Sequence, residues 1–299
     1  MIGFKKLEIS DFGIVAPILK KYNVENCDHC FSTMLIWSFR HSVEYAVYQN
    51  ELFMRTKGDN SYWYLSPVGE MPFEKAVQVI VDDAKMNKYR IKIFAMDENQ
   101  KNLMEQHFGN SFEIVADRDS SDYIYRTEDL SFLQGKNYQK KRNHCSRFER
   151  ENEGYKFCAI TGENVEEVKA FEREWCARNN CDESRGLFSE QMGIIEILSN
   201  MDKTDVFGGY IETSDGRVVA FTLAAPINDS MVDVIVEKAF HDINGAYAII
   251  NRDFARNCLQ DYKFINREDD MGQENLRKAK LSYFPHEIRT KYIAKMDTV

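Results

Sequence analysis

Residues 231–259 read MVDVIVEKAFHDINGAYAIINRDFARNCL, and they decide the fold. The first ten are a near-continuous apolar run, the pattern of a buried strand. Two charged residues, Glu237 and Lys238, stand near its end. From Ala246 onward the apolar residues fall at helical spacing, and Gly245 stands just before the first turn. A strand that gives way to a helix N-terminus within a few residues is a natural place for an anion, because the first backbone N–H groups of the helix have no internal partner.

The surrounding chain extends this unit in both directions. Downstream, YKFINRED is a strand, ENLRKAKLSYF a helix and PHEIRTKYIAK a last strand. Upstream, FGGYIETSDGRVVAFTLAAPIN is a hairpin turned at Asp215-Gly216. Before it come two helices, SEQMGIIEILSNM and ENVEEVKAFEREWCARNN, the latter with Val165, Val168, Phe171 and Trp175 on one side. A strand, YKFCAIT, and a basic helix, KNYQKKRNHCSRFERENEG, precede them.

The first half has the same order. FKKLEI is a strand, and DFGIVAPILKKY and FSTMLIWSFRHS are helices, the first capped by Asp11. EYAVYQNELFMRTK and SYWYLSP are two strands, FEKAVQVIVDDAKMNK a helix and RIKIFAM a buried strand. ENQKNLMEQHFG is a helix stopped by Gly109, and FEIVADRDSSDYIYRTEDL supplies two closing strands.

Each half is thus an α+β unit, a mixed and mostly antiparallel sheet with helices on both faces. This is the order of the GNAT (acyl-CoA N-acyltransferase) fold. Two tandem GNAT-like domains are expected, 1–133 and 134–299, with the basic helix near Lys140 between them. One continuous sheet is the arrangement this reading does not expect.

Composition fits a globular chain: of 299 residues 43% are hydrophobic, with Phe 20 and Tyr 15 to fill more than one core. No apolar run approaches the ~18 residues of a spanning helix. The N-terminus has no apolar signal core, so a cytoplasmic location is expected and a membrane-embedded half is not. The net charge of −9 excludes bulk attraction to nucleic acid or anionic lipid. Charge is uneven, however: Lys136, Lys140, Lys141, Arg142, Arg147 and Arg150 cluster with Glu149 as the one acid among them. Such a helix can meet a phosphate locally, or simply be solvated. The seven cysteines include Cys27-x-x-Cys30 and Cys176-x4-Cys181, one pair in each half. They read as reduced, buried thiols, and no zinc is expected. Trp37, Trp63 and Trp175 are expected in cores, and Met192 and Met201 in helix packing. No HExxH, GxSxG or P-loop pattern occurs.

Three stretches carry a resemblance: KNYQKKRNHCSRF (136–148), VEKAFHDINGAYAIIN (236–251) and INREDDMGQENLRKAKLSYFP (265–285). Together they resemble a bacterial family grouped with the C-terminal domain of phosphatidylglycerol lysyltransferases. That family is similar to the Fem-type transferases, which use tandem GNAT-like domains and an aminoacyl-tRNA donor. Asn266, Arg267, Glu268, Asp270, Gly272, Leu276, Arg277 and Lys280 match the third motif. Asn275 departs from it, standing where Gly precedes Leu-Arg. The resemblance implies that this region helps form a pocket for the amino acid and the tRNA end.

Aminoacyl transfer needs an ester donor, a neutral nucleophile and a stabilised oxyanion. Glu237, Glu268 and Asp270 are the candidate catalytic carboxylates, for an amine or a proton. Arg142, Arg267, Arg277 and Lys280 are candidates for phosphate or oxyanion, and Asn244 and Gly245 for a backbone cradle. Asn143, His144, Lys238, Tyr247 and Asn266 complete the candidate substrate contacts, and no metal ligand is assigned. His144 reads either as a general base or as a hydrogen-bonder between the halves. In GNAT enzymes the turn after the Glu237 strand holds the CoA pyrophosphate through Arg/Gln-x-x-Gly-x-Gly/Ala. Only Gly245 of that pattern is present, so acyl-CoA is not the favoured donor. An acyl-CoA-dependent N-acetyltransferase and a non-catalytic ligand-binding protein stay open as alternatives. The cleft is expected in the second half, and Asp270→Ala is expected to abolish binding at nearly unchanged melting temperature.

Overall fold

The computed structural model describes residues 2–58 and 61–296. The first half runs β1 (Lys5–Lys6), α1 (Phe12–Lys21), α2 (Phe31–His41), β2 (Glu44–Tyr48), β3 (Glu51–Gly58), β4 (Ser61–Leu65), β5 (Val68–Gly69), α3 (Phe73–Asn87), β6 (Arg90–Met96), α4 (Glu98–Phe108), β7 (Glu113–Arg126) and α5 (Thr127–Phe132). The second runs α6 (Gln139–Glu151), β8 (Lys156–Ala159), α7 (Val165–Arg178), α8 (Arg185–Ser199), β9 (Phe207–Glu212), β10 (Val218–Pro226), β11 (Met231–Ala239), α9 (Ala246–Cys258), β12 (Phe264–Asn266), α10 (Glu274–Leu281) and β13 (Glu287–Met296).

The expectation of two separate sheets is corrected. The strands form one sheet in the order β1-β2-β3-β4-β6-β13-β7-β12-β11-β10-β9-β8, with β5 beside β3. The cause is a reciprocal exchange. β13, the last strand of the second half, pairs with β6 of the first, while β7, the last strand of the first half, pairs with β12 of the second. β7 and β13 also pair with each other, so the two sheets fuse along them.

Among the described residues two neighbouring pairs are parallel, β4–β6 and β11–β12, one in each half. They differ in a way that positions the site. β4 and β6 stay in register from Ser61↔Arg90 to Leu65↔Phe94. β11 and β12 pair only over Met231–Asp233 and Phe264–Asn266. Beyond that the chain turns away: Arg267 N–H donates to Tyr123 O at 2.9 Å, and Tyr123 N–H to Glu268 O at 3.1 Å. The β11–β12 ladder therefore stops at Asp233↔Asn266, leaving a gap in the strand pairing between the second half of β11 and Arg267. β11 also carries a bulge at Ile235, since Leu223 pairs with Val236 but Ala224 with Val234. A bulge reverses which face the following residues present.

Helix α7 buries Val168, Phe171 and Trp175 against the sheet, each contributing about 1.5–3 kcal/mol. Helix α8 meets α2 of the other half at Gly193, where a Cβ would stand 2.7 Å from Ile36 Cα. Glycine is required there by the close approach of the two helices.

Several local expectations change. EYAVYQNELFMRTK is two strands, because Gln49 and Asn50 both take positive φ (52° and 62°) and close a hairpin. FEIVADRDSSDYIYR is one strand, interrupted where residues 118–121 loop out opposite Thr290, and TEDLSF is helical. Asp11 does not cap α1 through its side chain; it accepts from Glu8 N–H, Lys5 Nζ and Tyr45 OH. Trp175 is buried, but Trp63 is 38% and Met192 42% exposed.

Cys176 and Cys181 are not free thiols; they form a disulfide. The left-handed Asn180 turns the chain back after α7, bringing the two Cα atoms to 5.1 Å. Reduction is expected to lower stability by about 2 kcal/mol. Denaturation with and without dithiothreitol, beside a non-reducing peptide map, checks both the bond and its effect.

Candidate functional site

The gap between β11 and Arg267 collects a polar group on the α9 side of the sheet. Glu237 Oε1 accepts from Arg267 Nη2 at 2.8 Å, and Oε2 accepts from Asn251 Nδ2 of α9 at 2.9 Å. Both ends of the ion pair are nearly buried, at 12% and 11% exposure. The Arg267 guanidinium lies 4.9 Å from the Tyr283 ring centre and 5.6 Å from that of Tyr125. Lys141 of α6 places Nζ 3.5 Å from the same Tyr283 ring. Burial, then the charge of Arg267, pushes the Lys141 ammonium down to about 8. The aromatic walls are fixed at their backs: Tyr125 OH donates to Lys280 O at 2.8 Å and Tyr138 OH to Tyr283 O at 2.9 Å. Arg267 Nη1 and Asn251 Oδ1 are buried without a partner among the described residues. A buried polar atom left so costs free energy unless something fills its place.

Lys238 follows Glu237 directly and lies on the other face, toward α7 and α8. Its Nζ is 2.7 Å from Glu172 and 3.0 Å from Glu190, and sits over the Trp175 ring. Burial raises Glu172 to about 7 even with Lys238 beside it. Lys238 therefore stands apart from the Glu237 group.

The NREDD segment divides its residues between the two faces. Asp270 is fully buried and saturated. Its carboxylate accepts from Arg277 Nε and Nη2 (both 2.8 Å), Tyr123 OH (2.6 Å) and Gly272 N–H (3.0 Å). These bonds, with that from Arg277 foremost, hold its carboxyl far below the usual range. Arg277 is committed to Asp270 and Asp119. Lys280 Nζ donates to the carbonyls of Arg267 (2.5 Å) and Asp269, so it clamps the loop. Glu268, at φ +54°, turns to the opposite face, where it and Asp233 share the Thr33 hydroxyl at 3.2 and 3.0 Å. Burial, then Asp233, holds Glu268 well above the carboxylate range, and Asp233 is raised for the same reason. Asn266 donates to Asp122 at 2.8 Å on this face. Cys27, Asp28 and Asp122 lie close enough to share a cation. The Lys291 ammonium occupies that position, 2.5 Å from Asp122, 3.3 Å from Cys27 Sγ and in contact with Asp28.

Helix α6 turns its polar candidates to other tasks. Arg142 Nη1 donates to Leu133 O and, at 2.7 Å, to Gly135 O, tying the helix to its own entry. Asn143 is exposed and accepts from Gln139. His144 is exposed, and among the described residues its side chain joins no hydrogen bond, so it is not a bridge between the halves. Asn244 reaches Glu151 at 3.5 Å, and Tyr247 stands 5.2 Å from His241, ring to ring. Gly245 has φ +83°, and a Cβ there would collide with the carbonyl oxygen of His144 and lie 3.0 Å from Phe148 Cβ. The backbone of α6 thus packs directly on the turn that opens α9.

Of the expected residues, the structure brings Glu237 and Arg267 together. Asp270, Arg277 and Lys280 frame the adjoining loop, while Lys238, Glu268 and Asn266 face away. Asn251, Tyr125 and Tyr283 complete the group and are not among the expected site residues, and Lys141, expected only as one of the basic residues of its helix, joins them. Asn251 and Tyr283 lie within the quoted stretches, but as ordinary members of a helix and a helix end.

Two GNAT-type units with a splayed parallel pair in the second define the acyltransferase fold class. A tandem GNAT protein of the clavulanic acid biosynthesis pathway shares it, with TM-score 0.51 and 8% identity over 100% of both chains. The phosphatidylglycerol lysyltransferase C-terminal family matches residues 19–295, and the chain belongs to that family. A conserved protein of unknown function from Bacteroides thetaiotaomicron is 36% identical, with TM-score 0.92 over 99% of this chain and 100% of that one. The C-terminal domain of a putative lysylphosphatidylglycerol synthetase from Agrobacterium fabrum has the same fold, with TM-score 0.69 at 14% identity, covering 96% and 92%. An uncharacterized protein of Mycoplasmoides gallisepticum is 23% identical over 61% of this chain, and the match spans 58% of that protein's length. Among the described residues no helix is long and apolar enough to cross a membrane.

Proposed function

We propose that the chain transfers an aminoacyl group from an activated ester, such as aminoacyl-tRNA, to an amine or hydroxyl. The second unit, 134–299, carries the reaction in the gap between β11 and Arg267. The observation that supports this most is the pair of buried, unpartnered atoms beside Glu237, Arg267 Nη1 and Asn251 Oδ1. One is a charged donor and the other an acceptor. Together they suit a carbonyl that gains negative charge next to a group bearing N–H or O–H.

In this reading Arg267 Nη1 receives the developing oxyanion. Glu237 holds the guanidinium through Nη2 and leaves Nη1 free. Asn251 Oδ1 accepts from the attacking amine or hydroxyl, or from the α-ammonium of the aminoacyl group. Asp270, Arg277 and Lys280 set the loop that carries Arg267. The exposed Lys136, Lys140, Arg147 and Arg150 supply the surface for the phosphates of a tRNA end. An acyl-CoA donor is disfavoured because the carbonyl of His144 abuts Gly245, where a pyrophosphate would approach the turn.

The test is single-turnover transfer from a labelled pool of aminoacyl-tRNA, beside labelled acetyl-CoA, to mixed amine and hydroxyl acceptors. Transfer from aminoacyl-tRNA is expected, and Glu237→Gln is expected to slow it about 10–100-fold. Turnover of acetyl-CoA alone would overturn the reading.

A further inference from the structure

We propose that Lys141, on the helix that joins the two halves, is the proton acceptor for the attacking group in the β11 gap. This rests on the function proposed above and adds to it a residue of the basic helix, where the sequence suggests phosphate contact alone.

Three geometric facts carry it. Lys141 shares one aromatic wall with the oxyanion donor: its Nζ is 3.5 Å, and the Arg267 guanidinium 4.9 Å, from the centre of the Tyr283 ring. It is a half-buried lysine with no carboxylate in ion-pair range among the described residues, whereas Lys238, Lys169 and Lys291 each have one. And it reaches the gap from α6, the helix packed on the turn at Gly245. An amine without a counter-ion beside a guanidinium loses its proton more readily than a surface lysine.

The groups that face it act in the same sense on balance. Arg267 and, from the preceding position, Lys140 disfavour the ammonium; Glu237 and Cys145 favour it; burial is the largest influence and disfavours it. The Tyr283 ring attracts a cation and works against the shift. A lysine brought down to about 8 is neutral in a useful fraction near neutral pH.

The proposed step balances as follows. The acceptor's nitrogen or oxygen forms a bond to the ester carbonyl carbon, and the carbonyl electron pair moves onto oxygen beside Arg267 Nη1. The acceptor's proton passes to Lys141 Nζ. Collapse restores the carbonyl and breaks the bond to the ester oxygen, which leaves with the proton returned by Lys141.

Two measurements on the full chain test this. In competitive labelling with trace acetic anhydride across pH, read by peptide mass spectrometry, Lys141 is expected to titrate near 8, two or more units below the surface lysines. In single-turnover transfer, Lys141→Arg is expected to lose 30-fold or more, roughly the size of one general base. The alkaline-rising limb of the wild-type pH profile should vanish with it, at unchanged melting temperature. Methylamine added to Lys141→Ala should restore part of the rate. Titration of Lys141 above about 10, or full transfer by Lys141→Arg, overturns the assignment while the aminoacyl reading stands. Absence of transfer by the wild type overturns both.

Discussion

Asp270→Ala is expected to destabilise the protein by about 1–3 kcal/mol, the usual cost of leaving buried hydrogen-bond donors without their acceptor, since the half-exposed Arg277 keeps Asp119 and solvent. This reverses what the sequence suggests for a loop carboxylate. Asp270 has no exposed surface, and its two oxygens take four hydrogen bonds from Arg277, Tyr123 and Gly272, with Arg118 Nη1 3.4 Å away. Its loss leaves Tyr123 OH and the Gly272 N–H without an acceptor and releases the turn into α10. The pH dependence has a definite sign. The folded-state pKa lies below the unfolded one, so the contribution is complete above about pH 4. It is lost as pH falls through the folded value, where Asp270 protonates in place. Urea denaturation of wild type and Asp270→Ala at pH 7 and pH 3 measures both effects. The gap between the curves should narrow at the lower pH. A variant as stable as wild type at pH 7 would return Asp270 to the role of a free ligand carboxylate.

The second large effect is at Gly245. An alanine there meets two penalties at once. The left-handed backbone costs an L-residue roughly 1–2 kcal/mol, and the new methyl presses on the His144 carbonyl and Phe148, an overpacking penalty of about 1–3 kcal/mol. Neither neighbour is the free end of a flexible chain, since both belong to α6. Gly245→Ala is therefore expected to lose about 2–5 kcal/mol, with α6 loosened from α9. Hydrogen exchange along residues 139–151, measured on the variant, should rise more than exchange in α3 or β4. Uniform exchange at wild-type stability would mean that α6 does not rest on this turn.

Much of this was legible because it is local. The Met231–Cys258 stretch shows strand, turn and helix in its own periodicity, and Gly245 marks its conformation. The strand exchange is not legible in that way. β7 and β13 have ordinary strand patterns, and nothing within either states which neighbour it will join. The same holds for the site. Glu237 and Arg267 stand out as charges at strand ends. Asp233 is hidden inside an apolar run and Asp122 among the polar residues of 117–122, and only the folded sheet shows that each is buried with a partner. Lys141 is indistinguishable in sequence from Lys140; one turns in to Tyr283 and the other out to solvent. The disulfide escaped because its spacing of five says nothing of the left-handed Asn180 that makes it possible.

The exchanged strands also bear on how the chain is made. A ribosome delivers residues 1–133 long before Glu287–Met296, yet β6 has no partner on one side until that segment arrives. The nascent first half must wait with an open edge of Arg90–Met96, five of its seven residues apolar, while the rest is translated. Neither half can be excised as a self-contained module, since each would leave behind a strand belonging to the other. Circular permutants or split versions cut at the 133/134 junction should assemble only when both pieces are present, and should gather into aggregates through β6 when they are not.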